Sequence, residues 1–401
     1  MGSLTREVLV AGAGMTPFGK FPDTTLRQLA GKATADALAD AGISPDAVQM
    51  AFFANAVEGL MTGQEMIAGQ VVLRDSGISG IPVLNVENAC ASGSSAVHLA
   101  WLAIASGHVD VALVVGAEKL TNPDKRRAFE ALSTAVDLEN LAELKAHLYG
   151  PDGPPEGDRS FFMDVYAEEI RRYVERSGAV DADFAAVAVK NHHHGALNDR
   201  AQYRDEVTVQ QVLDSRPISG PLTLLMCSPI GDGAAALVLC SADVAKRLDV
   251  PRIRIRASAL VSGNGHSGGT SVQRAARIAY EQAELGPEDV DVVELHDAVA
   301  PAELWLYEEL GLCDPGDGAA LLASQATALG GRIPVNTSGG LLSKGHPVGA
   351  TGCAQLVELT DQLRGRAGAR QVADARVGLA ENNGGYLEPE PAATCVTILT
   401  S

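Results

Sequence analysis

The sequence predicts an α/β fold made of two similar halves, and three observations carry that reading. Strand-like runs such as "EVLVAG", "PVLNV" and "DVALVVG" alternate with helical patterns at residues 24–41, 64–76 and 91–107, as expected for a mixed or parallel sheet covered by helices. The alternation resumes after "AAALVLC", and there "GPEDVDVVELHDAV" (286–299) matches "SPDAVQMAFFANAV" (44–57) at a constant offset. Later, "DARVGLAE" resembles "DVALVVGAE", each after a helix of small residues. Two copies of one unit packed about a pseudo-twofold axis place their strand-end loops around a shared cleft, the natural place for chemistry.

The expected organisation is one half at residues 1–120 with 230–255, a second at 256–401, and a loop domain at 121–229 between them. That insertion is richer in Pro, Gly and charge, as in "TNPDK" and "YGPDGPPEGDRS", and carries helical patterns near 161–178 and 181–196.

Composition narrows the function classes. A chain of 401 residues with 46% apolar and 20% charged content has ample material for a core. With 50 acidic against 31 basic residues, the formal charge of -19 argues against nucleic acid or an anionic membrane as the main partner. The opening "MGSLTREVLVAGAG" has no basic-then-apolar leader pattern, so a cytoplasmic location is expected. The uncharged stretch Ala89–Gly107 contains four serines and a histidine, which favours a central buried helix over a membrane span. Cys90, Cys227, Cys240, Cys313, Cys353 and Cys395 are scattered without a CxxC pair, so neither a disulfide framework nor a zinc site is expected.

Two apparent motifs dissolve on inspection. Gly12 and Gly14 follow a strand, but Pro17 stands where a dinucleotide fingerprint needs its third glycine, and no helix starts there. His192, His193 and His194 are adjacent; on a helix they point about 100° apart and share no metal-binding face.

Cys90 is a stronger candidate. Within "NVENACASGSSAVHL" it lies among small residues that allow a substrate close, and an uncharged helix is expected to begin at about Ala91. A thiol at a helix N-terminus is pushed toward the thiolate by the dipole, although a lone helix-start cysteine is more often an inert packing residue. Cys353, in "TGCAQL", reads as such a packing residue. The glycine-studded turn "NTSGGLLSKGHPVGATG" (336–352) carries His346 just before a helix, with Pro347 fixing the entry. His296 ends the strand equivalent to "FFANAV"; beside Asp297 it could equally be a surface pair.

Together, "NACASGSSAV", "CSPIGDGAAALVL", "ELHDAVA" and "SGGLLSKGHPVGATG" resemble the thiolase family, particularly its sterol-carrier-protein-type branch. The resemblance spans nearly the whole chain. It implies a layered αβαβα core of two βα halves with a loop domain, and a homodimer or dimer of dimers. It implies a coenzyme A thioester as substrate, no tightly bound cofactor and no metal. By it, Cys90 matches the acyl-accepting nucleophile, His346 the base that activates it, and His296 the group that binds the thioester oxygen. The backbone N–H groups of Cys90 and Asn383 match the oxyanion donors, Ser228 lies by the pantetheine arm, and Ser338, Gly339, Gly340 and Ala298 join the substrate-binding set.

The chain also departs from the family. Many thiolases carry a second, acid/base cysteine in a C-x-G-G-G stretch, where this chain reads "LAENNGGYLEP" with Glu381 in the cysteine position. The sterol-carrier branch takes that cysteine from an H-D-C-F motif, where this chain has Ala298. Acylation of Cys90 is therefore provided for, while the deprotonation of a carbon nucleophile has only Glu381 as a candidate base. Three readings follow. One is an acyl-CoA C-acyltransferase that makes or breaks a carbon–carbon bond. A second is an enzyme of decarboxylative condensation or of acyl transfer to a small-molecule acceptor. The third is a non-catalytic acyl-CoA-binding subunit, and a small accessory subunit is possible for any of them.

Overall fold

The computed structural model describes residues 6–124, 126–150 and 160–401. The "PDGPPEGDR" run at 151–159 and the first five residues of the opening segment lie outside the described residues. Among the described residues there are eleven strands: β1 (Val8–Met15), β2 (Met50–Ala54), β3 (Val83–Val86), β4 (Val111–Lys119), β5 (Pro217–Ser219), β6 (Leu222–Thr223), β7 (Asp232–Ser241), β8 (Ile253–Ser262), β9 (Val292–Glu294), β10 (Val377–Gly384) and β11 (Ala393–Thr400). Nine form one sheet in the order β3-β2-β4-β7-β1-β8-β11-β10-β9, and β5 and β6 form a small hairpin.

The internal repeat is visible in the hydrogen-bond ladder. In the first half, β2 pairs parallel with both β3 and β4, β4 antiparallel with β7, and β7 antiparallel with β1. In the second half, β9 pairs parallel with β10 and, by a bridge at Val335, with the segment that takes the place of β3. There β10 is antiparallel to β11, and β11 to β8, the same sense at each step. The halves meet where Leu9 and Val10 pair with Arg254 and Ile253.

Register corrects one part of the repeat. The match of 44–57 with 286–299 equates Met50 with Val292; these pair with Ala112 and Gly378. Carried along the strands, Glu118 then corresponds to Gly384, not to Glu381 as the similar "GAE" and "LAE" endings suggest. A short apolar strand leaves its register to the pairing of neighbours rather than to its own composition.

Helices complete five layers. Helix Leu26–Ala41 covers β1 and β7 on one outer face, and helix Ser271–Ala283 covers β8 and β11 on the other. Between the two halves of the nine-stranded sheet lie helices Ser92–Ala105 and Thr351–Leu363, whose apolar side chains share one core with residues of β1, β2, β4, β7, β8 and β10. All residues of Thr351–Leu363 are buried, and Ser92–Ala105 has no charge to desolvate, which is what a middle layer demands. Gly12 and Gly14 serve this packing: a Cβ on Gly12 would lie 2.2 Å from Ala37 O, and one on Gly14 2.5 Å from Ala33 O. They let a helix sit flush on the strand, so β1 runs on to Met15 beyond the predicted "EVLVAG". The predicted helix at 64–76 is shorter, Ala68–Leu73 followed by a tight turn, because Ile67 takes a left-handed φ of 53° before it.

The chain between β4 and β7 carries helices Phe161–Ser177 and Asp181–Ala196 and the β5–β6 hairpin. Helix Asp181–Ala196 is tied to the second half by buried polar bonds: Lys190 Nζ donates to Val335 O at 3.0 Å, and Asn191 Nδ2 to Asp297 and Glu303 at 2.8 Å each. No helix among the described residues is long and apolar enough to cross a membrane.

Candidate active site

Cys90 sits on a sharp strand-to-helix turn. After β3, a single tight turn at Ala89–Ala91 precedes the helix that starts at Ser92, so the thiol lies just before the helix rather than in its first turn. Ala89 has φ 48°, a left-handed conformation that a side-chain-bearing residue adopts only when its surroundings impose it. Ser92 Oγ imposes it by accepting the Asn88 N–H at 2.9 Å and donating to Ala89 O at 2.6 Å; Asn88 Nδ2 also donates to Ser95 Oγ at 2.8 Å. The small residues around Cys90 therefore do more than admit substrate. A Cβ on Gly93 would lie 2.9 Å from Gly349 O, and Ser94 Oγ donates to Asn382 Oδ1 at 2.9 Å, so the nucleophile turn is seated directly on the opposite half. Gly384 completes the seat: a Cβ there would come within 2.1 Å of Asn88 O.

The 336–352 turn delivers His346 to the same point. Its Nε2 is 3.2 Å from Cys90 Sγ, and its Nδ1 is 2.7 Å from Thr351 Oγ1. The Thr351 hydroxyl donates to Pro347 O at 3.3 Å, so its oxygen accepts the Nδ1–H. That assigns the imidazole proton to Nδ1 and leaves Nε2 as the acceptor facing the thiol. Glu118 anchors the turn from the other half, accepting the N–H of Gly349 at 2.9 Å and that of Ala56 at 2.9 Å.

His296 packs edge-on to His346, ring centroids 5.1 Å apart, and its buried Nε2 has no partner among the described residues. The ligand atoms of Cys90, His296 and His346 lie within 4.8 Å of one another. Behind His296, Glu381 Oε2 accepts the His296 N–H at 3.0 Å.

These three side chains open into a cavity of about 660 Å³ whose wall also includes Ser228, Ala298, Asn383, Gly384 and Gly385. Ser228 N–H donates to Ala298 O at 3.0 Å, which joins the loop domain to the strand end carrying His296.

Several sequence-predicted site residues lie elsewhere. Glu381 is fully buried and does not line the cavity; its Oε2 accepts the His296 N–H, while its buried Oε1 has no hydrogen-bond partner among the described residues. Ser338, Gly339 and Gly340 are also buried away from it. Ser338 Oγ donates to Glu294 at 2.5 Å and accepts from Lys344 at 2.8 Å, and a Cβ on Gly340 would meet Asp297 at 2.2 Å. They anchor the His346 turn. The histidine run diverges as helix geometry requires: His192 reaches the cavity wall, His193 pairs with Glu206 at the surface, and His194 is buried against Asn336 O. Cys353 is a packing residue 3.7 Å from Gly93 O. Thr351 and Glu118 went unnoticed in the sequence; the i+5 spacing of Thr351 from His346 was the available signal.

Electrostatics revise the expected thiolate. Burial, reinforced by the Glu118 and Glu87 carboxylates, pushes the Cys90 thiol up to about 12. Burial, with the neighbouring His296 and Lys344, holds His346 well below the usual histidine value, and burial takes His296 down to about 4. The resting pair is a neutral thiol bonded to a neutral imidazole, because the low-polarity surroundings outweigh the helix dipole.

A cavity-facing thiol, an imidazole with its acceptor nitrogen on that thiol, and a second imidazole beside it, at the junction of two α/β halves, form an arrangement suited to acyl transfer through a cysteine. The comparisons agree. The model of the thiolase N-terminal domain matches residues 8–243, and that of the thiolase C-terminal domain-like unit matches residues 258–400. The chain belongs to the thiolase family. It is 37% identical over 387 residues to an acetyl-CoA acetyltransferase of Methanothermobacter thermautotrophicus, covering 95% of this chain and 97% of the relative. It is 35% identical to the benzoylsuccinyl-CoA thiolase subunit BbsB of Thauera aromatica, covering 95% and 96%. It is 36% identical to human sterol carrier protein 2, covering 94% of this chain and 70% of that protein. Among solved structures, an Ltp2-ChsH2(DUF35) aldolase superposes with a TM-score of 0.80 at 27% identity, covering 100% of this chain and 99% of that one.

Proposed function

We propose that the protein takes an acyl group from coenzyme A onto Cys90 and passes it to a second substrate, making or breaking a carbon–carbon bond. The 3.2 Å contact between Cys90 Sγ and His346 Nε2 carries this reading. As Sγ attacks the thioester carbonyl carbon, its proton moves to Nε2, and the oxyanion is met by the Cys90 and Asn383 N–H groups. Collapse expels the coenzyme A sulfur, which takes the proton back from His346, leaving a thioester on Cys90. His296 Nε2, partnerless and facing His346, is left to bind the thioester oxygen of the second substrate.

For the second half-reaction, two observations favour an acceptor that needs no proton removed from carbon. Ala298 puts a methyl group on the cavity wall where a thiol is absent, and Glu381 is sealed behind His296. A substrate that decarboxylates, or a small molecule already nucleophilic, meets that condition. A purely binding role is disfavoured by the assembled Cys-His-His set. The reading extends to a homodimer or dimer of dimers, in which the edge strand β3 and the exposed Leu84, Met66 and Ile67 beside it meet a second copy. A small accessory subunit is a further proposal, supported by the solved relative whose title pairs Ltp2 with a DUF35 protein.

The test is intact-mass measurement after incubation with an acyl-CoA panel. The expected result is one acyl adduct per chain, absent in Cys90→Ala, with stoichiometric release of coenzyme A. Release without a Cys90 adduct would overturn the reading.

A further inference from the structure

Each of the two imidazoles has a charged side chain two residues before it. Glu294 precedes His296 at the end of β9, and Lys344 precedes His346 in the 336–352 turn. The two charged groups meet. Lys344 Nζ lies 3.2 Å from Glu294 Oε2, and each side chain is only 1% exposed. Neither lines the cavity, so neither is placed to touch a substrate there.

Ser338 completes the junction. Its N–H donates to Glu294 Oε1 at 3.0 Å, its hydroxyl donates to Glu294 Oε2, and Lys344 Nζ donates to that hydroxyl at 2.8 Å. The next charges are balanced among themselves: Glu358, which accepts the Thr337 hydroxyl at 3.2 Å, pairs with Arg370 at 2.8 Å. Asp297 ties the start of the turn separately, accepting the Leu341 N–H at 2.7 Å. Immediately before His346 the chain passes through Gly345 at φ 110°, a backbone conformation that glycine adopts freely. Among the described residues, Lys344 is the last side chain bonded to the His296 strand before that loose joint.

A buried ion pair is a poor device for stability. Withdrawing two charges from water offsets much of their attraction, and an apolar pair of similar volume often serves as well or better. What the charged pair adds is direction, because its bonds are satisfied at one separation and one orientation of the segments that carry it.

We infer that Glu294 and Lys344 are positioning residues: their bond sets the His296 strand end against the His346 turn, and with it the 5.1 Å edge-on approach of the two imidazoles. For its effect on rate the inference rests on the acyl-transfer reading. Its effect on ring placement stands apart from that reading.

The experiment compares the wild-type protein with Glu294→Gln, Lys344→Met and the double variant. Lys344→Met alone leaves a buried carboxylate without its counter-ion and should lower Tm the most. The double variant removes both charges, and Glu294→Gln keeps an acceptor for the Ser338 N–H, so its Tm should return toward wild type. Acylation should not return with it. Whichever acyl-CoA of the panel forms the wild-type adduct should acylate Cys90 about 10- to 100-fold more slowly in the double variant, since a misplacement of about 1 Å costs up to about 100-fold. Its Kd, measured with Cys90→Ala added, should stay within about threefold, so that the loss falls on rate and not on affinity. In a crystal structure of the double variant the ring separation should depart from the wild-type value. A pair with a merely structural role would recover acylation along with Tm. Wild-type acylation in a stable double variant, or slow acylation with both rings unmoved, would overturn the proposal. Failure of both Glu294→Gln and the double variant to fold would assign the pair to folding and overturn it as well. A wild type that forms no Cys90 adduct would overturn acyl transfer, and the ring separation in the variant crystal would then decide this inference alone.

Discussion

Cys90 Sγ lies 3.2 Å from His346 Nε2, while His346 Nδ1 lies 2.7 Å from Thr351 Oγ1, so one ring joins the nucleophile of one half to a helix start of the other. Among the described residues, the hydroxyl of Thr351 is the only side-chain oxygen bonded to that ring, and it keeps the basic nitrogen on the thiol. Replacing it with valine preserves shape and leaves the Nδ1–H without its acceptor. An orphaned buried donor costs about 1–3 kcal/mol, so Thr351→Val should slow acylation about 10- to 100-fold with little change in acyl-CoA binding, and Thr351→Ser should restore it. Single-turnover acylation followed by intact mass decides this; a valine variant as fast as wild type would remove Thr351 from the relay.

The neutral state of the pair gives a pH signature. A resting thiolate–imidazolium pair would be alkylated by iodoacetamide at a rate that levels off near neutral pH. With Cys90 pushed up to about 12, alkylation should be slow at pH 7 and climb to pH 10 without a plateau. Acylation follows the other partner. His346 must be neutral to accept the proton, and its pKa lies well below 6.5, so the rate should hold level as pH falls through 6.5 and drop only below it. An acylation midpoint at or above 6.5 would contradict this assignment.

Much of this site was legible in the sequence, for a physical reason. Cys90 and His346 stand in glycine-rich turns because two backbones must approach within contact there, and such turns leave a compositional mark. The strand-end His296 was placed by the repeat, and Ala298 by the resemblance to the sterol-carrier branch. The burial of Glu381 was not legible, because a position in a motif says nothing about which way a side chain leaves the strand, and here it turns onto the His296 N–H. The burial of Ser338, Gly339 and Gly340 off the cavity wall was not legible for a related reason: glycines that admit a ligand and glycines that admit Asp297 look alike in sequence. The thiol state was out of reach altogether, since burial is a property of the assembled layers.

Glu381 now has a structural prediction. Its carboxyl is pushed up to about 8 by burial, and Glu118 up to about 7 by the same cause. Both folded values exceed the usual carboxylate range, so the native protein holds more protons than the unfolded chain from about pH 4.5 to 8. Their contribution is therefore present at low pH and lost as pH rises through the folded values, at up to about 1.36 kcal/mol per pH unit for each fully protonated difference. Tm should fall between pH 6 and pH 9, and Glu381→Gln, which still accepts the His296 N–H, should flatten that fall without abolishing Cys90 acylation. Glu381→Leu leaves the N–H unpaired and should cost about 1–3 kcal/mol in denaturant unfolding. Loss of acyl-group condensation in Glu381→Gln with acylation and stability intact would instead make Glu381 a base.

The remaining prediction concerns the missing thiol. Ala298 is 6% exposed, and its methyl group faces the cavity shared by Cys90, His296 and His346. Replacing it with cysteine adds one sulfur atom at a wall that already has room for substrate, so folding should be little affected. The chemistry changes more. The wild-type cavity wall offers no thiol at this position and Glu381 does not line it, which is why the wild type should condense acetyl-CoA only weakly. A cysteine at this position supplies a base of suitable strength on the same wall as the acyl-enzyme, and it stands where the resemblance to the sterol-carrier branch expects one. Ala298→Cys should therefore raise acetyl-CoA condensation at least about tenfold while leaving the rate of Cys90 acylation within about twofold, as read by product formation and by intact mass on the same preparation. Wild-type condensation already as fast as acylation would show that another group removes the proton. An Ala298→Cys protein with unchanged condensation and intact acylation would show that a thiol at this position does not remove the proton, and would leave a decarboxylating substrate or a ready nucleophile as the surviving chemistries.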